Sequence, residues 1–166
     1  MAAKTLISEA EFLRMTFEGP DPDYIDGELI ERSMPKLPHS RAQRRFTVLF
    51  EPFTVAGRLF AFPELRISTL PQHYRIVDVA VYRDREPTKA LPDETPFIAI
   101  EIVSPGDAHE ELLTKLAEYK EIGVAHVWIV QPGLRTLSVF DGGSLLRVDA
   151  FTIPEFDLRF TAAQIF

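Results

Sequence analysis

The chain has 166 residues, of which 46% are hydrophobic and 26% are charged, and its formal net charge is −7 at pH 7. This length and hydrophobic share predict one domain spanning residues 1–166, and they exclude a disordered chain. The negative net charge argues against a protein that coats nucleic acid by bulk electrostatic attraction, although it leaves room for a local basic patch.

Cysteine usage and hydropathy exclude further classes of protein. The sequence has no cysteine, which excludes a disulfide framework, a cysteine–zinc site and thiol catalysis. No apolar run approaches the length of a membrane span, and the N-terminus lacks the pattern of a signal peptide. We therefore expect a cytoplasmic protein that has no membrane partner.

The N-terminal region predicts a short helix followed by a β-hairpin. Ser8 and Glu11 have the spacing of a capping box, which predicts a helix that continues to Met15. Asp26-Gly27 lies between two short β-prone runs, and this arrangement is typical of a hairpin turn.

A second helix is predicted to begin at Ser40, which forms another capping box with Gln43, and Pro52 is expected to kink or end it. His39, directly before this cap, is interpreted as a surface residue rather than as a metal ligand. The first turns of the helix carry three arginines, which either form a solvated basic face or contact substrate phosphates. These arginines are Arg41, Arg44 and Arg45.

Two apolar, strand-like runs each contain a single carboxylate. Asp78 lies within residues 76–82, and Glu101 lies within residues 97–103. An unpaired carboxylate inside such a strand is costly. The simplest layout makes the strands antiparallel neighbours, so that the two acids approach and repel one another unless a cation lies between them. Glu64, between two earlier strand-like segments at residues 58–62 and 65–68, is a candidate third acid for the same site.

Two interpretations of these acids stay open at this point. A hard divalent cation held by oxygen ligands would neutralise them without any cysteine. Alternatively, each acid pairs with an arginine or caps a loop.

The second acidic strand is followed by a helix and then by another apolar strand. Asp107 and Glu110 predict the start of this helix. Lys115 lies on the flank of its apolar face, so its amine either swings toward the sheet or stays in solvent and pairs with nearby glutamates. Because a helix separates residues 124–130 from the Glu101 strand, these two strands should be parallel.

The C-terminal region predicts a second hairpin, formed by residues 136–140 and 145–151, and then a short strand and a helical turn. Together, the predicted elements indicate an α+β fold, α/β-like in a loose sense, with a mixed central β-sheet flanked by helices.

The order of these features resembles the Uma-two family of restriction-endonuclease-like proteins, within the PD-(D/E)XK nuclease superfamily. Val77 stands where the superfamily has a proline, and Val103 stands where it has a lysine on the same strand face as the glutamate. In the family this lysine lies on the following helix, where Lys115 matches. The matching segments are residues 24–29, 38–39, 77–81 and 101–105, then Lys115, Tyr119, residues 123–124 and 127–130, and Pro132.

The resemblance implies a restriction-endonuclease-like fold and metal-dependent hydrolysis of DNA phosphodiester bonds. It implies that Asp78, Glu101 and the backbone carbonyl of Ile102 hold Mg²⁺, for which Mn²⁺ can substitute, while Glu64 is a candidate additional ligand. Lys115 is expected to orient the attacking water or to stabilise developing negative charge. The three helix arginines named above are the candidate contacts to the DNA backbone.

Rival functions stay open on the sequence alone. A non-catalytic nucleic-acid-binding or structural protein on a nuclease scaffold is favoured by the acidic net charge and by the missing lysine in the strand. An enzyme is favoured by the two costly acids, and its substrate could be RNA or a nucleotide instead of DNA. Nucleases that cut both strands usually need two sites, and the aromatic-rich C-terminal half is a candidate surface for a homodimer.

Overall fold

The computed structural model describes residues 6–105 and 107–166. Helices in this part of the chain are α1 (Glu9–Phe12), α2 (Leu37–Val55), α3 (His109–Glu121) and α4 (Ala162–Ile165), and Pro154–Phe156 forms a short 3₁₀ turn. The strands are β1 (Asp23–Ile25), β2 (Glu28–Ile30), β3 (Leu59–Ser68), β4 (His73–Arg83), β5 (Ile98–Ile102), β6 (His126–Gln131), β7 (Thr136–Asp141), β8 (Ser144–Val148), β9 (Ala150–Ile153) and β10 (Leu158–Thr161).

One mixed sheet dominates the fold, and its order is β2-β1-β4-β5-β6-β7-β8, with β3 paired to β4. Strands β4 and β5 are antiparallel, whereas β5 and β6, which α3 connects, are parallel. Both predicted hairpins form, β1 with β2 and β7 with β8. The predicted strand at residues 145–151 is wrong at its end, since β8 stops at Val148 and residues 150–151 belong to β9, which pairs with β10 in a separate small sheet. These pairings confirm the predicted mixed central sheet.

The two long helices cover opposite faces of the sheet. Alternate residues of β5 point to opposite faces, and Ile98, Ile100 and Ile102 pack in the core cluster that contains the apolar side of α2. Ala99 packs in the cluster that contains the apolar side of α3. Glu101 is therefore directed toward α3.

Strand pairing along one edge of β4 is interrupted. Strand β3 follows one edge of β4 from Tyr74 to Arg83. The other edge pairs with β1 at residues 73–74 and with β5 at residues 79–81. Residues 75–78 therefore have no strand partner on that edge among the described residues.

Side chains replace the missing strand in this gap. The backbone N–H of Ile76 donates to Asp23 Oδ1 at 2.9 Å, and the Ile76 carbonyl accepts from Lys115 Nζ at 2.7 Å. The carbonyl of Asp78 accepts from Gln43 Nε2 at 2.8 Å. Since buried backbone groups must find hydrogen-bond partners, these polar side chains complete the edge of the sheet.

The helix α2 begins earlier than predicted. It begins at Leu37, with Lys36 as its N-cap and no capping side chain, so the predicted start at Ser40 is wrong. Pro38 fits the first turn, where its missing N–H leaves no helical hydrogen bond unmade. The helix continues past Pro52 to Val55 because its last turns are packed, with the rings of Phe50 and Phe53 against Phe160.

The two other predicted helix boundaries also need correction. Ser8 caps α1 as predicted, accepting from the Glu11 N–H at 3.3 Å, but the helix ends at Phe12 instead of Met15. The helix α3 begins at His109, one residue later than a cap at Asp107 requires.

The side chain of Asp107 does not cap α3. Its Oδ2 accepts from the Ser104 N–H at 2.7 Å and so closes the preceding loop. The predicted capping role of Asp107 is therefore wrong.

Candidate active site

A cavity of about 340 Å³ opens where the pairing on β4 is interrupted. Asp78 from β4, Glu101 from β5 and Lys115 from α3 all line it, together with Ile102. Three consecutive elements of the chain thus deliver the acids and the lysine that the sequence singled out to one place.

Asp78 is a buried carboxylate surrounded by donors, with 3% of its surface exposed. Its Oδ2 accepts from the Ile102 N–H at 2.7 Å, and its Oδ1 accepts from Arg32 Nη2 at 2.9 Å. Burial acts to raise the pKa of Asp78, but contact with His39 and the positive charges of Lys115 and Arg32 outweigh it and lower the pKa. Asp78 is therefore ionised at neutral pH.

Glu101 is held by two donors on one face of α3. Its Oε1 accepts from the Tyr119 hydroxyl at 2.7 Å, and its Oε2 accepts from Lys115 Nζ at 2.9 Å. These donors are four residues apart, the spacing that places side chains one above the other on a helix. Burial raises the pKa of Glu101 to about 7; the charge of Lys115 opposes this rise and the charge of Asp78 adds to it.

Lys115 points into the sheet, which decides between the two orientations that the sequence left open. Only 8% of its surface is exposed, and its Nζ donates to the Ile76 carbonyl and to Glu101. Burial acts to lower the pKa of Lys115, but the negative charges of Glu101 and Asp23 outweigh it and raise the pKa. The side chain is therefore a fixed ammonium group.

Glu64 lies beside Asp78, but it is not among the residues that line the cavity, so its role as a third acid of the site stays a prediction. It belongs to the continuous strand β3, where the sequence suggested two segments, and the register pairs Pro63 with Val79 and Leu65 with Val77 on either side of it. The backbone of Glu64 has a φ of 50°, a left-handed conformation that is uncommon for a residue with a Cβ.

Glu64, Asp78 and His39 form a group that could hold a metal ion, since one ligand atom from each lies within 4.8 Å of the others. His39 Nε2 is 3.5 Å from Asp78 Oδ1 and 4.0 Å from Glu64 Oε1. This nitrogen is buried and has no hydrogen-bond partner within the described part of the chain. A buried nitrogen aimed at two carboxylates fits a cation ligand, because imidazole and carboxylate groups are common metal donors.

The interpretation of His39 as a surface residue is wrong, since the side chain is only 10% exposed. The helix begins one turn earlier than predicted, so His39 lies within it, three and seven residues before the buried Ala42 and Phe46. That helical spacing was the signal in the sequence that could have placed His39 on the inner face of α2.

Two further polar residues at the site were not predicted from the sequence. Arg32, in the segment between β2 and α2, donates from Nη1 to Glu64 Oε2 at 2.7 Å as well as to Asp78. Gln43 donates from Nε2 to Glu64 Oε1 at 2.9 Å and to the Asp78 carbonyl. Arg32 has no periodicity or motif around it that could have indicated this position.

Comparison with known families supplies the remaining context. The family model of Uma2, described as "Putative restriction endonuclease", matches residues 9–155. The chain belongs to the Uma2 family. This assignment confirms the family that the sequence resembled.

A solved structure described as "a putative nuclease belonging to DUF820 from Anabaena variabilis ATCC 29413" is similar to this Uma2 chain, with a TM-score of 0.82. The two sequences are 24% identical, and the match covers 95% of this chain and 96% of that chain. The likeness confirms the predicted restriction-endonuclease-like α+β fold. Curated proteins gave no significant match. In the described part of the Uma2 chain, no helix has the length and hydropathy needed to cross a membrane.

A buried ion network forms part of the cavity wall in this Uma2 protein, since Asp23, Arg75 and Lys115 all line the cavity. Arg75 donates from Nε to Glu118 at 2.9 Å and from Nη1 to Asp23 at 3.2 Å. Asp23 Oδ2 in turn lies 4.0 Å from Lys115 Nζ. Since all of these side chains are buried, the network fixes the surroundings of the lysine.

The three arginines at the start of α2 are exposed, and none of them lies among the residues that line the cavity. They occupy the same helix as His39, which does line it. Contact between these arginines and a DNA backbone therefore stays a prediction. The three are Arg41, Arg44 and Arg45.

Proposed function

We propose that this Uma2 protein is a metal-dependent endonuclease that hydrolyses phosphodiester bonds of DNA. The observation that carries the proposal is the convergence of Asp78, Glu101 and Lys115 at one cavity, in a chain whose family is described as "Putative restriction endonuclease". Membership of that family supports a nucleic-acid substrate.

The donor set formed by His39 and Asp78 at the cavity, with Glu64 beside them, fits a divalent cation. Asp78, Glu64 and His39 would hold it, with Glu101 and the carbonyl of Ile102 as further oxygen ligands. Carboxylate and carbonyl oxygens suit Mg²⁺ and Mn²⁺, and the histidine nitrogen suits Mn²⁺ better than Mg²⁺. When bound, such a cation lowers the pKa of a coordinated water and neutralises charge on the phosphate.

The protein's own groups supply orientation and charge. The ammonium group of Lys115, fixed by Glu101 and the Ile76 carbonyl, is proposed to orient the attacking water or to stabilise the negative charge that develops on the phosphate. Tyr119 is proposed as a positioning residue, because its hydroxyl holds one oxygen of Glu101 in place. Asp78 is held in the same way by the Ile102 N–H.

Cleavage of supercoiled plasmid in Mg²⁺ and in Mn²⁺ tests the proposal. We expect Asp78→Asn and Lys115→Ala each to lower the rate by at least about 100-fold, the scale of losing a group that stabilises charge or transfers a proton. Asp21→Asn and Lys89→Ala are matched controls, since both side chains are exposed and neither lines the cavity. Equal activity in all five proteins would contradict the site.

A non-catalytic nucleic-acid-binding protein is the second candidate function. The observation that favours it is the guanidinium of Arg32, which pairs with Asp78 and Glu64, so that these acids have a counter-ion within the chain. Binding of duplex DNA by wild type and by Asp78→Asn, without cleavage by either in Mg²⁺ or Mn²⁺, would support this function over the nuclease.

A further inference from the structure

Arg32 joins the two acids of the candidate metal group. Its Nη1 donates to Glu64 Oε2 at 2.7 Å, and its Nη2 donates to Asp78 Oδ1 at 2.9 Å. One guanidinium thus bridges two carboxylates that come from different strands, β3 and β4.

Among the described residues, each acid gives one oxygen to Arg32 and the other to a different hydrogen-bond donor, and Asp78 Oδ1 also lies 3.5 Å from His39 Nε2. Asp78 Oδ2 accepts from the Ile102 N–H, and Glu64 Oε1 accepts from Gln43. The remaining oxygens, Asp78 Oδ1 and Glu64 Oε2, are both bonded to Arg32. A cation that used these two oxygens would therefore need the guanidinium to leave.

Electrostatic repulsion opposes the presence of the Arg32 guanidinium and a divalent metal ion at the site at the same time. The Arg32 side chain is 16% exposed, so water screens it weakly. Burial acts to lower the pKa of Arg32, but Glu64, Asp78 and Glu101 outweigh it and raise the pKa, so the group stays charged. A divalent ion beside a buried guanidinium would meet strong repulsion.

Arg32 lies in an irregular segment, whereas the acids that it contacts lie in paired strands. Residues 31–36 lie outside helix and strand, and all of them except Arg32 are exposed. Asp78 and Glu64, in contrast, belong to paired strands. Of these partners, the arginine is the one whose departure leaves the sheet intact.

We propose that Arg32 is a built-in competitor for the divalent cation, which binds at Asp78 and Glu64 only when the guanidinium leaves them. This inference rests on the cation-binding part of the proposed function. Because the apparent dissociation constant is the intrinsic one divided by the fraction of protein with the site free, Arg32 weakens cation binding. Its removal therefore tightens binding.

Direct titration of Mn²⁺, followed by electron paramagnetic resonance of the free ion, measures this effect without any cleavage. We expect Arg32→Gln to bind Mn²⁺ about tenfold more tightly than wild type, the factor for releasing one charged hydrogen-bonded pair. Arg32→Lys, whose single ammonium replaces the two-pronged guanidinium, should tighten binding less. Arg83→Gln is the control, because Arg83 pairs with an acid but does not line the cavity.

The melting temperature supplies a second readout. Without cation, Arg32→Gln should melt below wild type, because Asp78 and Glu64 lose their counter-ion, and Mn²⁺ should raise its melting temperature more than that of wild type. If Arg32→Gln does not fold, Mn²⁺ binding by Arg32→Lys tests the same inference.

The outcomes separate this inference from the proposed function. If wild type binds Mn²⁺ and both Arg32 variants bind it no more tightly, Arg32 is not a competitor, while the cation site stands. If no variant binds Mn²⁺ at millimolar concentration, or if adding Asp78→Asn to Arg32→Gln leaves binding unchanged, both the inference and the proposed cation site are wrong.

Discussion

At the scale of single residues, Glu101 is an acid poised to change its charge near neutral pH. Both of its oxygens accept hydrogen bonds from α3, which favours the ionised form. Burial nevertheless raises its pKa to about 7. Asp78, whose pKa is lowered, stays ionised near neutral pH.

The raised pKa predicts how the stability of the metal-free protein depends on pH. Between 4.5, the ordinary pKa of Glu101, and about 7, the folded state binds more protons than the unfolded state, so the free energy of unfolding falls as pH rises. The raised pKa of His39 acts in the same direction at higher pH. Between pH 5 and pH 8, Glu101→Gln should remove about 2–3 kcal/mol of this fall in the free energy of unfolding, as measured by urea unfolding. An unchanged pH dependence in the variant would contradict the assignment.

His39 predicts a preference among cations. Its buried nitrogen adds an imidazole to a group of carboxylates, and Mn²⁺ accepts such a ligand more readily than Mg²⁺. We expect His39→Ala to weaken Mn²⁺ binding by about tenfold or more and Mg²⁺ binding by less, as measured by calorimetric titration. His109→Ala is the matched control, since His109 is exposed. Equal losses for both ions would contradict this preference, and no loss for either ion would exclude His39 as a ligand.

At the scale of elements, the sequence predicted the strands that carry the acids better than the ends of the helices. Residues 76–82 and 97–103 are long apolar runs, so a single carboxylate in each stands out. The start of α2 was misplaced because Ser40 and Gln43 have the spacing of a capping box. In the structure, Gln43 instead bonds to Glu64 and to the Asp78 carbonyl, partners that lie too far along the chain for local spacing to indicate.

This difference gives a stability test for α2. Gln43→Ala leaves the Asp78 carbonyl without its donor and should cost about 1–2 kcal/mol. Ser40→Ala should change stability by less than about 0.5 kcal/mol, because Ser40 is exposed and does not cap the helix. Urea unfolding of both variants measures the contrast. If Ser40→Ala lowered the free energy of unfolding more than Gln43→Ala does, the predicted capping box at Ser40 would be supported instead.

At the scale of the whole molecule, the cavity results from the way in which the sheet is assembled. Strands β1 and β5 share one edge of β4 and leave residues 75–78 open, while α2 and α3 approach from opposite faces. The site therefore combines residues from most of the chain. Arg32 is 46 residues from Asp78 in sequence, and no local pattern encodes such a contact, which is why the sequence alone could not place it.

The same assembly predicts where DNA would approach. The cavity is lined by acids, and the net charge of the protein is −7, so favourable contact with phosphates requires a local cationic surface. The exposed arginines in the first turns of α2 lie on the helix that also delivers His39 to the cavity. We therefore expect this surface, made of Arg41, Arg44 and Arg45, to hold the DNA backbone.

Replacement of all three arginines by Gln should weaken binding to a short duplex and should lower the slope of log K against log salt concentration by about 2 to 3, since each lost phosphate contact removes about 0.9. Fluorescence anisotropy in metal-free buffer measures the slope without cleavage. The control replaces Arg83, Arg85 and Arg147, which are also exposed and change the net charge equally. If both triple variants lose affinity and slope to the same extent, overall charge and not this surface governs binding, and the DNA must approach the cavity from another side.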